Sequence, residues 1–197
     1  MTTSTAVVTL LVAVASDALG QARAIPLPDT AGANFAVADS ARGLGTPEDY
    51  DAMLGVWHFR FQARNADGTF AEPFTGHWTF RKRGGDRPII EDHWRADNPN
   101  RPFDAGTVTY RAYNPKRKVW EMHGSSTNNA ESWQPGLSWS GDGSRYVIQH
   151  VGGGALMRFR YFAIEPNRFL WRADVTTDQG KSWKLDWWTM EVTRVGR

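Results

Sequence analysis

Two ionisable residues, Asp92 and His150, occupy strand positions of a kind otherwise given to aromatic side chains. A carboxylate and an imidazole inside an apolar cavity are chemically informative, because burying a polar group costs free energy unless it has work to do. Such a pair can act as general acid and base with shifted pKa values, or can anchor and orient a ligand. Asp92 and His150 are therefore the candidate catalytic residues, and with Trp94, Tyr110, Trp120 and Tyr161 they form the candidate ligand-binding set. Four other histidines, His58, His77, His93 and His123, share the opposite phase with Glu91 and Glu121. His58, His77 and His93 come from successive strands, so convergence on a metal is conceivable, but no H-x-H or H-E-x-x-H spacing supports it and no metal is expected. Inverting the phase would make Glu91, His93 and Arg95 the inward triad instead.

The assignment rests on a period-two pattern. Trp57, Phe59 and Phe61 alternate with His58, Arg60 and Gln62. Gly76, Trp78 and Phe80 follow, then Ile90, Asp92 and Trp94, Val108 and Tyr110, and Trp120 and Met122. A weaker strand spans Trp133 to Trp139, and Tyr146, Ile148 and His150 come next. Met157, Phe159 and Tyr161, then Phe169, Trp171 and Val175, precede a last long strand from about Lys181 to Val195. In that last strand Trp183 and Leu185 share one phase while Trp188, Met190 and Val192 take the other, which predicts a one-residue bulge near Asp186-Trp187. Turn chemistry separates the runs (Asp67-Gly68, Gly84-Gly85, Asn114-Pro115, Gly141-Asp142-Gly143). About ten short strands, each with one apolar and one polar face, predict a sheet closed on itself.

Ahead of the first strand, Thr46-Pro47-Glu48-Asp49 is a helix start, with a Thr cap, Pro in the first turn and acidic residues at the positive dipole end. Gly55 limits that helix to about two turns. Further upstream, the apolar run Ala6–Ala15 is too short to span a bilayer, and Ala22-Arg23-Ala24 follows it as an A-x-A site. Residues 1–24 are expected to be a secretory signal peptide, although Met1–Thr5 carries no positive charge, and the expected location is secreted or periplasmic. Residues 25–45, rich in Ala, Gly, Pro and Asp, read as a flexible leader, and 46–197 as the barrel.

Composition narrows the function. The chain has 197 residues, ten of them tryptophan, and no cysteine, which excludes disulfides, thiolate nucleophiles and Cys-ligated metals. Its 23 Lys and Arg against 21 Asp and Glu give a net charge of +2, and Arg60, Arg111, Arg158 and Arg172 are dispersed along the chain with no long basic stripe, so no nucleic-acid partner is expected. No G-x-S-x-G, phosphate-loop or dinucleotide fingerprint occurs, and Val151–Ala155 lacks a following helix; no cofactor is expected.

The Gly55-Val56-Trp57 sequence after a short helix resembles the G-x-W signature of lipocalins and the wider calycin group. The similarity extends to a poorly characterised bacterial group of calycin-like proteins, through Gly76–Phe80, the Tyr113–Trp120 hairpin and a terminal D-x-G-K-S-W hairpin. It implies an all-β fold, a single antiparallel lipocalin-like barrel of 8–10 strands with a short N-terminal helix. It also implies that Trp57 plugs the closed end and Arg194 packs across it. Haem-binding calycins use a histidine near the chain end, and none follows His150. Thr176–Trp183 also fits an Asp-box, a turn held by Asp178 over Trp183, read as structural. The expected function is binding of a small apolar or aromatic ligand in the barrel, with no membrane span and a homodimer left open. The alternatives are an enzyme (cyclase, isomerase or hydrolase) using Asp92 or His150, and a carbohydrate-binding module.

Overall fold

The computed structural model describes residues 45–84, 88–98, 106–126, 133–141, 143–151 and 155–196. Residues 1–44, which hold the expected signal peptide and all but the last residue of the expected leader, lie outside the described residues. Ten antiparallel strands follow one another around a closed barrel, each paired with its sequence neighbour, and the last returns to the first. They are β1 Gly55–Ala63, β2 Phe74–Arg83, β3 Ile89–Ala96, β4 Thr107–Asn114 and β5 Val119–Ser126. β6 is Trp133–Gly141, β7 Ser144–Val151, β8 Ala155–Glu165, β9 Arg168–Thr176 and β10 Lys184–Gly196. Among the described residues closure leaves no strand edge unpaired, and their ten strands sit at the top of the expected range.

The N-terminal helix is shorter than expected. Only a 3-10 turn, Asp51–Met53, forms. At its entry the Asp49 carboxylate accepts from both Thr46 N–H (3.0 Å) and Thr46 Oγ1 (3.1 Å), the contact expected at a helix start. Gly55 then takes φ 124°, a conformation that side chains avoid, and turns the chain into β1. The turn drives Tyr50 and Met53, both fully buried, into one end of the barrel. Trp57, also fully buried, donates its indole N–H to the Met53 carbonyl (2.7 Å) and packs edge-on against Phe169 (4.8 Å). The Arg194 guanidinium lies 3.9 Å from the Trp57 ring centre and donates to the carbonyls of Leu54 (2.6 Å), Ala52 (2.8 Å) and Pro166 (2.6 Å). This arginine ties the turn, β1 and the β8–β9 hairpin into a single plug.

Three expectations are corrected. β4 points Thr109, Arg111 and Tyr113 inward, all buried, and Tyr110 outward at 46% exposure. β7 points Val147 and Gln149 inward, so Tyr146 and His150 lie on the outer side with Ile148. In both strands each phase carries apolar residues, so alternation alone could not choose the side. The β10 irregularity lies where expected but is larger, since the three residues between Lys184 and Trp188 oppose the single residue between Val175 and Ala173. Asp186, at φ 49°, takes up the extra length.

Candidate functional site

The barrel interior is graded along its axis. At the plugged end the inward side chains Trp57, Phe59, Trp78, Phe80, Trp120 and Phe169 are 0–3% exposed and form a packed core. Toward the other end Phe74, Trp94, Phe159, Val175 and Trp188 also point inward, yet each stays partly exposed. Among the described residues this end carries no plug like that of Tyr50, Met53 and Trp57, and these side chains keep part of their surface accessible. Its aromatic wall is continuous: Trp94 packs on Phe59 (5.8 Å), Trp171 stacks on Phe159 (5.2 Å, 21°), and Phe61 contacts both Phe74 (4.7 Å) and Trp188 (5.8 Å). The inward positions Thr107, Thr109, Gly124 and Ser126 on β4 and β5, opposite that wall, carry short side chains.

Between core and mouth sits a buried polar cluster. Asp92 on β3 is 1% exposed and Arg111 on β4 is 2% exposed, and the two form an ion pair. Trp78 Nε1 donates to Asp92 Oδ1 at 2.8 Å. Arg111 Nη2 donates to Tyr161 Oη on β8, across the barrel, at 3.2 Å, and the guanidinium stands 5.1 Å from the centre of the Tyr50 ring. Tyr50 Oη in turn shares a hydrogen bond with Ser138 Oγ on β6. Arg111 Nε has no hydrogen-bond partner among the described residues. Burial pushes the Tyr161 hydroxyl up to about 12, while the Arg111 charge and hydrogen bonds from Trp171 and Arg111 hold it partly down. The cluster is thus a neutral ion pair with one spare donor and a neutral phenol, set in an apolar wall.

Of the sequence-derived candidates, Asp92, Trp94, Trp120 and Tyr161 are brought together inside, although Trp120 lies in the sealed end with its indole N–H on the Thr46 carbonyl (3.0 Å). Tyr110 and His150 are on the outer side and do not join them, so Asp92 and His150 form no acid–base pair. Burial lowers the His150 pKa. The residue that sequence reasoning missed is Arg111, and the signal was available: a buried carboxylate on β3 needs a cation, and β4 supplies one.

Outside the barrel, His58 and His77 pack 5.5 Å apart, with Asp97 2.8 Å from His77 Nδ1 and 3.9 Å from His58 Nε2. His93 is not part of this group, and among the described residues no three His, Cys, Asp or Glu side chains form a metal-binding group. Glu91, the first of the inverted triad, is engaged by Arg83 (3.0 Å), and His93 and Arg95 are exposed. A groove of about 310 Å³ at the rim is lined by Pro73, Phe74, Thr75, Asp97 and Asn98. No helix among the described residues is long and apolar enough to cross a membrane.

Neither family models nor curated proteins give a match to this chain. Solved structures do. An S-type phycobiliprotein lyase of Guillardia theta is 14% identical, with a TM-score of 0.51 over 79% of this chain and 94% of that one. Rv2717c of Mycobacterium tuberculosis is 11% identical, with a TM-score of 0.53 over 77% and 99% of the two chains. A protein of unknown function from the DUF3598 family of Nostoc punctiforme is 12% identical, with a TM-score of 0.51 over 78% of this chain and 51% of that chain. At these identities the likeness is one of fold. The Trp57 plug under Arg194, the closed antiparallel topology and these neighbours agree on the fold: a ten-stranded antiparallel barrel of lipocalin-like form.

Proposed function

We propose that the barrel takes a small apolar or aromatic ligand through its open end and holds it above the Asp92–Arg111 pair. One observation carries this reading: inward aromatic side chains that remain partly exposed, directly above a buried ion pair with a spare guanidinium donor. An apolar wall with a few convergent polar groups is the usual make-up of a small-molecule site. Ligand uptake is tested by titrating a panel of aromatic and aliphatic compounds against tryptophan fluorescence. Saturable quenching should weaken at least tenfold in Trp94→Ala. A panel that binds wild type and Trp94→Ala alike would place the ligand elsewhere.

The enzyme alternative has less support. Asp92 is committed to Arg111 and Trp78, and His150 lies outside, so no general base faces the interior from either candidate. A barrel of this shape does occur in a protein named as a lyase, which keeps the fold compatible with catalysis. A carbohydrate platform would need exposed tryptophans, and among the described residues the large exposed apolar side chains are Phe70, Tyr110, Leu185 and Val195.

Export remains part of the proposal, on the strength of Ala6–Ala15 and Ala22-Arg23-Ala24. N-terminal sequencing of protein from its native host should begin near Ile25, and an intact Met1 would end the claim. We also read Thr176–Trp183 as a structural Asp-box turn. In support, Asp178 accepts from Ser182 N–H (3.0 Å), Ser182 Oγ (2.6 Å) and Thr176 Oγ1 (2.6 Å), and Arg158 stacks on Trp183 at 4.4 Å.

A further inference from the structure

Donors and acceptors do not balance inside the barrel. Both oxygens of the Asp92 carboxylate are engaged: Oδ1 accepts the Trp78 indole N–H at 2.8 Å, and Oδ2 faces the Arg111 guanidinium in the ion pair. The donor side holds a surplus. A guanidinium donates through every nitrogen and accepts nothing. Nη1 of Arg111 serves Asp92 and Nη2 serves the Tyr161 hydroxyl at 3.2 Å, but Nε–H meets no acceptor among the described residues. Tyr161 adds a second donor. Its oxygen accepts from Arg111 and from the Trp171 side chain, which occupies both lone pairs and leaves the phenol proton to give. Burial pushes that hydroxyl up to about 12, so the proton is present at neutral pH.

Charge, by contrast, does balance. Asp92 and Arg111 cancel, and their partners Trp78 and Tyr161 are neutral. A carboxylate or phosphate brought against Arg111 would meet a cation that Asp92 already neutralises. It would add an uncompensated charge beside a carboxylate, in an interior of low dielectric. An ammonium would meet N–H and O–H donors and an acid already engaged. A neutral acceptor escapes both penalties and still takes a charge-assisted hydrogen bond from the guanidinium. Aromatic side chains stand where the body of such a molecule would lie. Trp94 is two positions beyond Asp92 on the same face of β3, about 7 Å toward the unplugged end, and Phe159 stands in the same relation to Tyr161 on β8. Trp171 links the two features, since it stacks on Phe159 at 5.2 Å and donates to Tyr161.

We propose that the group recognised at the Asp92–Arg111 pair is an uncharged hydrogen-bond acceptor on an aromatic body (an aryl ketone, quinone or amide carbonyl), and neither an anion nor an amine. The assignment depends on the ligand entering the barrel, as proposed above, and matched probes separate the two claims. Acetylnaphthalene, ethylnaphthalene and naphthoate, each substituted at the same ring carbon, differ in carrying a ketone, a methylene or a carboxylate. In calorimetric titration at neutral pH the ketone should bind about tenfold or more tightly than either of the others. In Asp92→Leu with Arg111→Met, which removes the pair without leaving a charge, ketone and hydrocarbon should bind alike. Should that variant fail to fold, Asp92→Asn keeps the side-chain shape, leaves the guanidinium uncompensated and should turn the preference toward naphthoate. Equal affinity of the wild type for ketone and hydrocarbon, both weakened by Trp94→Ala, would overturn the neutral-acceptor assignment and leave the interior site standing. So would a wild-type preference for naphthoate, a ketone preference that survives in the double variant, or an Asp92→Asn preference unchanged from wild type. No saturable binding of any probe, or binding that Trp94→Ala leaves intact, would overturn both claims.

Discussion

Removing one member of the Asp92–Arg111 pair should damage the protein far more than removing both. The guanidinium is 2% exposed and the carboxylate 1%, so each relies on the other for charge compensation in a medium of low dielectric. In Asp92→Leu, Arg111 keeps only the 3.2 Å bond to Tyr161 and its contact with the Tyr50 ring. In Arg111→Met, Asp92 keeps only the Trp78 N–H at 2.8 Å. Breaking a buried pair from one side costs about 3–5 kcal/mol. For a domain of this size that corresponds to a fall in Tm of roughly 6–20 °C, at about 2–4 °C per kcal/mol. The double variant removes both charges and places apolar volume between Phe80, Ile90 and Met122, their strand neighbours. Its expected cost is about 0–2 kcal/mol, mostly the lost contacts of Arg111 with Tyr161 and Tyr50. Urea and thermal unfolding followed by near-UV circular dichroism at pH 7 give all four corners of the cycle, and the coupling should be several kcal/mol. Single substitutions that each cost under about 1 kcal/mol and add in the double would refute the buried pair.

Trp57→Ala should cost about 3–5 kcal/mol, because it empties the plug between Phe169 and Arg194; an unchanged unfolding midpoint would contradict the packing. Tyr161 contributes stability that is complete below pH 10, where the phenol is neutral in both states, and that is lost as pH rises through about 12; the loss is on the order of 2–3 kcal/mol, and Tyr161→Phe should flatten the alkaline limb of the stability profile. Hydrogen bonds from Ser182 and Thr176 hold the Asp178 carboxyl far below its ordinary value, so Asp178→Ala should lower Tm at neutral pH without changing the affinity for any ligand, and an abolished affinity with an intact fold would assign the turn a role in binding.

Strands β1 to β3 were legible because their alternation is strict. Trp57-x-Phe59-x-Phe61 leaves only polar or charged residues for the outside, and the G-x-W plug then fixes the phase. β4 and β7 were not legible by the same rule. Arg111 and Tyr113 compete with Val108 and Tyr110 for the interior, and a reading that sends charge outward picks the wrong pair. Arg111 is interior because Asp92 is, a dependence between strands that no single-strand period expresses. In β7 both faces are apolar, one against the core and the other in an outer cluster with Leu137 and Trp139, so Tyr146, Ile148 and His150 look like interior residues and lie outside. The helix start was legible, since Asp49 does cap Thr46, but the segment closes only one 3-10 turn before Gly55 turns the chain into β1.

The central claim is that the ligand sits inside the barrel at its open end, and its location is the measurement that decides it. A crystal structure with the tightest-binding aromatic compound of the titration panel should show it between Trp94, Phe159 and Trp188, with a polar group directed at Arg111 Nε. Density for that compound on the outer surface, with the interior unchanged at saturating concentration, would contradict the account.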